Sequence, residues 1–178
     1  MRRAQIPIDK LSLPVFHTFD VRWVLLAAGD YASKAFNVMT ISWGSLGVIW
    51  GKPFAQVFVR RSRYTYRFME QAESFTLSVF PEDHRRGLSY CGSHSGRAGD
   101  KLSAAGFTAV ASQSVSAPGF QEAELLIECR KMYFSDLVPA DFLDPSIQSN
   151  YTTQPELHRI YFGEVVAVSG TPAYRAPD

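Results

Sequence analysis

The 178-residue sequence predicts a mainly β protein: an antiparallel barrel with a few short helices attached. Runs of β-branched, aliphatic and aromatic residues recur along the chain, separated by turns rich in Gly, Pro and Asp. Only short stretches switch to helical spacing. Strands and helices show no regular βαβ alternation, so a parallel sheet is not indicated. The 13% aromatic content suits β structure or a site for a flat ligand.

Val21 to Ala28 has the composition of a first strand, and GDYASKA after it reads as a turn. FNVMTISW, residues 36–43, is the second strand. Alternation puts Asn37, Met39, Ile41 and Trp43 on a bulky face. The other face carries Val38, Thr40, Ser42 and Gly44 and is small and hydroxyl-bearing. Gly44, Gly47 and Gly51 predict a loop, and FAQVFV after Pro53 a third strand. Phe68, Met69, Ala72 and Phe75 recur at helical spacing, with Ser62 or Thr65 as N-cap. Phe75 to Phe80 reads as a further strand, and Pro81, Glu82 and Asp83 favour a helix start. Asp100 caps a short helix that stops at Gly106. The last strands fall near Ala123–Phe134 and His158–Val168, joined by a long Pro-containing connection over 135–155.

Composition narrows the function. A chain this long buries roughly 70% of its unfolded surface, so one domain over residues 1–178 is expected. Apolar residues make up 46% and charged residues 20%, an ordinary globular balance. The net charge of +1 gives no electrostatic case for nucleic acid or a membrane. Cys91 and Cys129 form no CxxC and match no zinc spacing. Asp9 and Lys10 follow the opening arginines too soon for a signal peptide, and WVLLAAG is too short to span a bilayer. The expectation is a cytoplasmic protein with no membrane partner.

Four groups of residues carry candidate chemistry. Arg60, Arg61, Arg63 and Arg67 surround Ser62 and Thr65 between a strand and a helix. Unpaired helix N–H groups, hydroxyls and guanidinium groups together make a phosphate cradle. The same run, isolated, reads as a solvated basic turn; its place directly after the strand that follows FNVMTISW favours the phosphate. Thr40, Ser42 and Gly44 leave room for a planar group against the backbone, although Thr and Ser also simply suit strands. GSHSGRAGDK (Gly92 to Lys101) fits neither a nucleophile elbow nor a Walker A loop. It delivers Lys101 at a helix start, which is also where a surface lysine commonly sits. The four histidines have no ligand spacing, so a metal site is not expected, and no Rossmann fingerprint follows a strand.

In order, these blocks resemble one family. They are N-x-M-T-x-S-W (Asn37 to Trp43), K-P (Lys52, Pro53), R-x-S-R-x-T (Arg60 to Thr65), S-G-x-x-x-D-K (Ser95 to Lys101) and H-x-I-x-x-G-E-V-V (His158 to Val166). The family is the flavin reductase-like group of FMN-binding split barrels, flavoredoxin-like in its closest look. The resemblance runs over roughly residues 21–168. It implies a six-stranded antiparallel Greek-key split barrel, a homodimer and one FMN per subunit. It implies that Asn37, Met39, Thr40, Ser42 and Trp43 line the flavin and ribityl chain. Arg60, Ser62 and Thr65 would hold the phosphate, and Lys101 would approach the ring. The implied activity is hydride transfer from NADH or NADPH to flavin, with electrons passed to free flavin, iron or a protein acceptor. No side chain is needed as a general acid or base. The alternative is an FMN electron carrier without its own nicotinamide site. Two departures stand out: Leu102 follows the lysine where the family usually has an aromatic, and the 135–155 connection matches no motif.

Overall fold

The computed structural model describes residues 2–153 and 155–177. Its strands are β1 (Ala4–Gln5), β2 (Val24–Asp30), β3 (Ala35–Ile41), β4 (Gly44–Ile49), β5 (Lys52–Arg60), β6 (Ser74–Val79), β7 (Ala109–Val110), β8 (Gly119–Phe120), β9 (Leu125–Asp136) and β10 (His158–Gly170). Its α-helical segments are α1 (Val15–His17), α2 (Tyr64–Gln71), α3 (Arg85–Ser93) and α4 (Lys101–Ala105). One antiparallel 8-stranded sheet runs in the order β3-β2-β6-β9-β10-β5-β4, with β1 on the C-terminal end of β10. β7 and β8 form a separate small pair. Among the described residues no helix is long and apolar enough to cross a membrane.

The sheet curls around a single core. Val24, Leu26 and Ala28 of β2, Met39 and Ile41 of β3, and Ala55, Val57 and Val59 of β5 share one buried cluster. β3 and β5 stand far apart in the strand order, so only a rolled sheet brings them together. α2 contacts β2, β3 and β5 and adds Phe68 and Met69 to the same cluster. It thereby fills the seam between the two ends of the sheet. The predicted mainly β split barrel is the observed one; its sheet has two more strands than the six expected, β1 and β4.

β2 is buried on both faces, which explains why VLLAAG shows no alternation. Leu25 and Ala27 point away from the barrel core into a second cluster with Val38, Phe80, Leu88, Cys91, Phe107 and Phe120. Phe80 and Phe107 stack there with centroids 4.4 Å apart. Fully burying a side chain of this size is worth ~1.5–3 kcal/mol, so this layer fastens α3 and α4 to the outside of the barrel. Both cysteines are buried with free thiols.

Several boundaries differ from the sequence reading; β3 ends at Ile41, short of Ser42 and Trp43. The first strand begins at Val24, because Thr18–Arg22 form a π-helical turn that ends at Trp23 with φ 66°. The stretch read as a glycine loop is β4, paired with β5 from Gly44↔Val57 to Ile49↔Lys52. Its glycines serve close approach: a Cβ on Gly44 would lie 2.3 Å from the Phe19 ring. The planar group against Gly44 is therefore Phe19 from the same chain. Finally, α2 ends at Gln71, and Phe75 belongs to β6.

Candidate functional site

The site grows from the junction of β3 with α2. β3 presents Asn37 and Met39 on its inner face, and α2 starts directly opposite. The Asn37 side-chain amide donates to the Thr65 hydroxyl at 2.8 Å, and that hydroxyl donates to the Val38 carbonyl at 3.1 Å. Thr65 is only 1% exposed. Neither Ser62 nor Thr65 caps α2: the N-cap is Arg63, which makes no side-chain capping bond. The predicted cap fails because the Thr65 hydroxyl is turned inward to satisfy buried Asn37. The first turn thus keeps its partial positive charge without a side-chain cap.

The helix start opens on a cavity of about 480 Å³. Asn37, Met39, Ser62, Thr65 and Lys101 all line it, together with Arg63, Arg97 and Glu156. Lys101 is buried, and its ammonium donates to the carbonyls of Cys91 at 3.1 Å and His94 at 3.2 Å. Burial lowers its pKa to about 8; a nearby thiol opposes the shift and Arg63 adds to it. Lys101 is thus no surface residue. Asp100 caps α4 as predicted, accepting from the backbone N–H groups of Leu102 and Ser103, and that cap sets where Lys101 enters. A Cβ on Gly96 would lie 2.2 Å from the Asn37 side-chain oxygen, so only glycine lets this loop lie against β3.

A second cavity, about 230 Å³, adjoins the first, and Met39 and Arg63 line both. Thr40, Ser42, Trp43, Arg60 and His158 line it. Thr40 does not leave an open wall: its hydroxyl donates to the Leu88 carbonyl of α3 at 2.5 Å. Trp43 leans on His158 with ring centroids 4.9 Å apart. The Arg60 guanidinium donates to the Asn150 carbonyl at 2.9 Å and lies 5.1 Å from the Tyr151 ring. Burial, then repulsion from Arg60, lowers the His158 pKa to about 4.

All nine residues singled out from the sequence therefore line two joined cavities. The sequence places Arg63 in the basic run but not among the flavin contacts, and it gives no sign of Arg97 or Glu156. Arg63 donates to the Gly92 carbonyl at 2.5 Å, and burial lowers its pKa. Its position inside R-x-S-R-x-T was the available signal. A third cavity of about 920 Å³ meets the first at Asn37, Tyr64 and Lys101. Tyr64 there lies against Arg67 at 4.6 Å and Arg97 at 4.8 Å. The chemistry on offer is anion binding at a helix start beside a groove walled by Met39, Trp43 and hydroxyls.

Comparison with known proteins fits this geometry. Residues 17–176 match the model of the flavin reductase like domain. Flavoredoxin of Desulfovibrio vulgaris (Miyazaki F) superposes with a TM-score of 0.67 at 22% identity, covering 100% of this chain and 83% of that one. An FMN-binding domain of a flavin reductase-like enzyme from Shewanella baltica gives a TM-score of 0.68 at 18% identity, covering 95% and 77%. An NADH:FAD oxidoreductase of Streptomyces globisporus, solved with NAD and FAD fragments, gives 0.64 at 16% identity, covering 85% and 75%. No curated protein matches in a sequence search. With the match covering nearly the whole barrel and both joined cavities, the chain belongs to the flavin reductase-like domain family.

Proposed function

We propose that the joined cavities bind FMN and that the protein is an oxidoreductase of the flavin reductase type. The observation that carries this reading is the convergence of all nine motif residues on a groove with a cationic end. That end suits a phosphate: Arg63, Arg97 and Lys101 supply positive charge, Ser62 a hydroxyl, and α2 a first turn without a side-chain cap. Arg60 is turned toward the 150–156 segment, so Arg63 is the nearer candidate for the phosphate. Thr65 acts through Asn37 rather than by direct contact. Met39, Thr40, Ser42 and Trp43 would line the ring and ribityl chain.

When bound, FMN would supply the redox chemistry, accepting a hydride from NADH or NADPH and releasing electrons to an acceptor. The chain's own part is to orient, to exclude water and to place charge. A cation at Lys101 favours added electron density nearby and so raises the flavin midpoint potential. A homodimer belongs to the same reading. Trp50, at the β4–β5 turn, and Tyr133 of β9 lie 5.9 Å apart and are both exposed, an apolar face suited to a second copy.

The test begins with the mass of any ligand released on denaturing the purified protein, expected to be FMN. Stopped-flow mixing with NADH and NADPH follows. Bleaching of the oxidised flavin by either supports the reductase. No reduction by either would leave an FMN electron carrier served by another protein.

A further inference from the structure

The cavity at the β5–α2 turn is lined by three cations, Arg63, Arg97 and Lys101, and a single acidic side chain among the described residues, Glu156. The Glu156 carboxylate accepts a 2.7 Å hydrogen bond from the backbone N–H of Ser62. Ser62 sits immediately before the Arg63 N-cap, where an anion is best received. Glu156 comes from the long connection between β9 and β10, one residue past the 135–155 stretch that matches no motif. That connection is strapped to the end of β5 and to the start of β10. Arg60 donates to the Asn150 carbonyl at 2.9 Å and to the Glu156 carbonyl at 3.5 Å. The Tyr151 hydroxyl lies 3.0 Å from His158 Nδ1.

We infer that Glu156 is an internal anion that competes with a phosphate-bearing ligand for this turn and so sets the site's affinity for it. The inference rests on the proposed placement of the flavin phosphate. A carboxylate and a phosphate ester make the same demand, N–H donors with positive charge nearby. The Ser62 N–H cannot serve both fully. A phosphate near pH 7 carries up to about two negative charges, and a carboxylate held beside it is repelled. Ligand entry therefore requires Glu156 to leave Ser62, and phosphate binds more weakly by the free energy of that displacement. A ligand without phosphate does not meet this cost. Glu156 thus tunes selection between phosphorylated and unphosphorylated flavin.

The experiment is fluorescence titration of flavin-free protein with FMN and with riboflavin, for wild type, Glu156→Gln and Glu156→Ala. Far-UV circular dichroism confirms the fold of each. Both variants should bind FMN about tenfold more tightly, with riboflavin affinity unchanged and the gain shrinking in high salt. FMN affinity that is unchanged or lower in both folded variants overturns the inference: the carboxylate then only shapes the turn. An equal gain for riboflavin also overturns it, because the effect is then not on phosphate. In both cases a wild-type preference for FMN over riboflavin leaves the phosphate placement standing. No such preference in the wild type and in both variants overturns that placement and the inference together.

Discussion

The side-chain amide of Asn37 is joined to the hydroxyl of Thr65 by a 2.8 Å hydrogen bond that crosses from β3 to the first turn of α2. Both side chains are buried, and the same hydroxyl reaches the Val38 carbonyl. One hydroxyl thus fixes the angle at which α2 leaves the sheet. It also holds Asn37 in place on the cavity wall.

Thr65→Val keeps the shape and removes that hydroxyl. It takes the Thr65 oxygen from the buried Asn37 amide, which keeps its 3.3 Å bond to the Val38 carbonyl, and losing that acceptor costs ~1–3 kcal/mol. The urea midpoint should fall accordingly, and FMN affinity should fall with it. Thr65→Ser should restore both. A variant with wild-type stability and binding would show that the bond has no consequence.

Lys101 gives a pH signature. Its pKa is lowered to about 8 from 10.5, chiefly by burial. Between those values the folded state holds fewer protons than the unfolded, so this group makes stability rise with pH across that window. Below about pH 8 the penalty of the buried charge is carried in full. Lys101→Met should flatten the slope of stability between pH 8 and 10 relative to wild type. An anionic ligand should also draw a proton onto Lys101. FMN binding at pH 9 should take up a fraction of a proton, up to roughly one, read by calorimetry in buffers of different ionisation enthalpy. The uptake should vanish in Lys101→Met.

His158 acts on the acid side. Its pKa is lowered to about 4 from 6.5 by burial and by Arg60. The folded state again binds fewer protons between the two values, so stability falls as pH drops from 6.5 toward 4. His158→Gln should show a shallower loss of Tm over that range in thermal melts. An unchanged slope would mean that His158 titrates as it does in the unfolded chain.

Gly96→Ala tests the packing of the loop before Lys101. The added methyl would meet the Asn37 oxygen at 2.2 Å and the Tyr64 ring at 3.2 Å. The loop must retreat, with a cost of ~1–3 kcal/mol and weaker FMN binding. Gly99→Ala is no spatial control, because its φ of 139° is itself unfavourable to alanine. Arg97→Ala serves better: it leaves the loop backbone alone and should lower FMN affinity only.

How much of this was legible in the sequence depended on whether the signal was local. The strands β3, β5, β9 and β10 carry their own composition, and the Asp100 cap and Gly106 stop are short-range chemistry. β4 is hidden in the sequence because its glycines are the strongest turn signal. Gly44 is there for Phe19, which lies 25 residues away in sequence, and no local pattern encodes that contact. Thr65 was recognised as important and given the wrong partner. An N-cap is the nearest use for a hydroxyl at a helix start, and Asn37 becomes the better one only after folding. Glu156 was invisible for the same reason, since its partner Ser62 precedes it by 94 positions.

The helix that closes the seam of the barrel is also the one whose first turn faces the cationic cavity. Ligand binding and the cooperativity of unfolding are therefore coupled through α2. When the barrel opens at that seam, the receiving turn is lost at the same moment. Melting temperature should then climb with the logarithm of ligand concentration once the site is saturated. A thermal-shift series against flavins and their fragments can thus rank ligands without any assay of turnover.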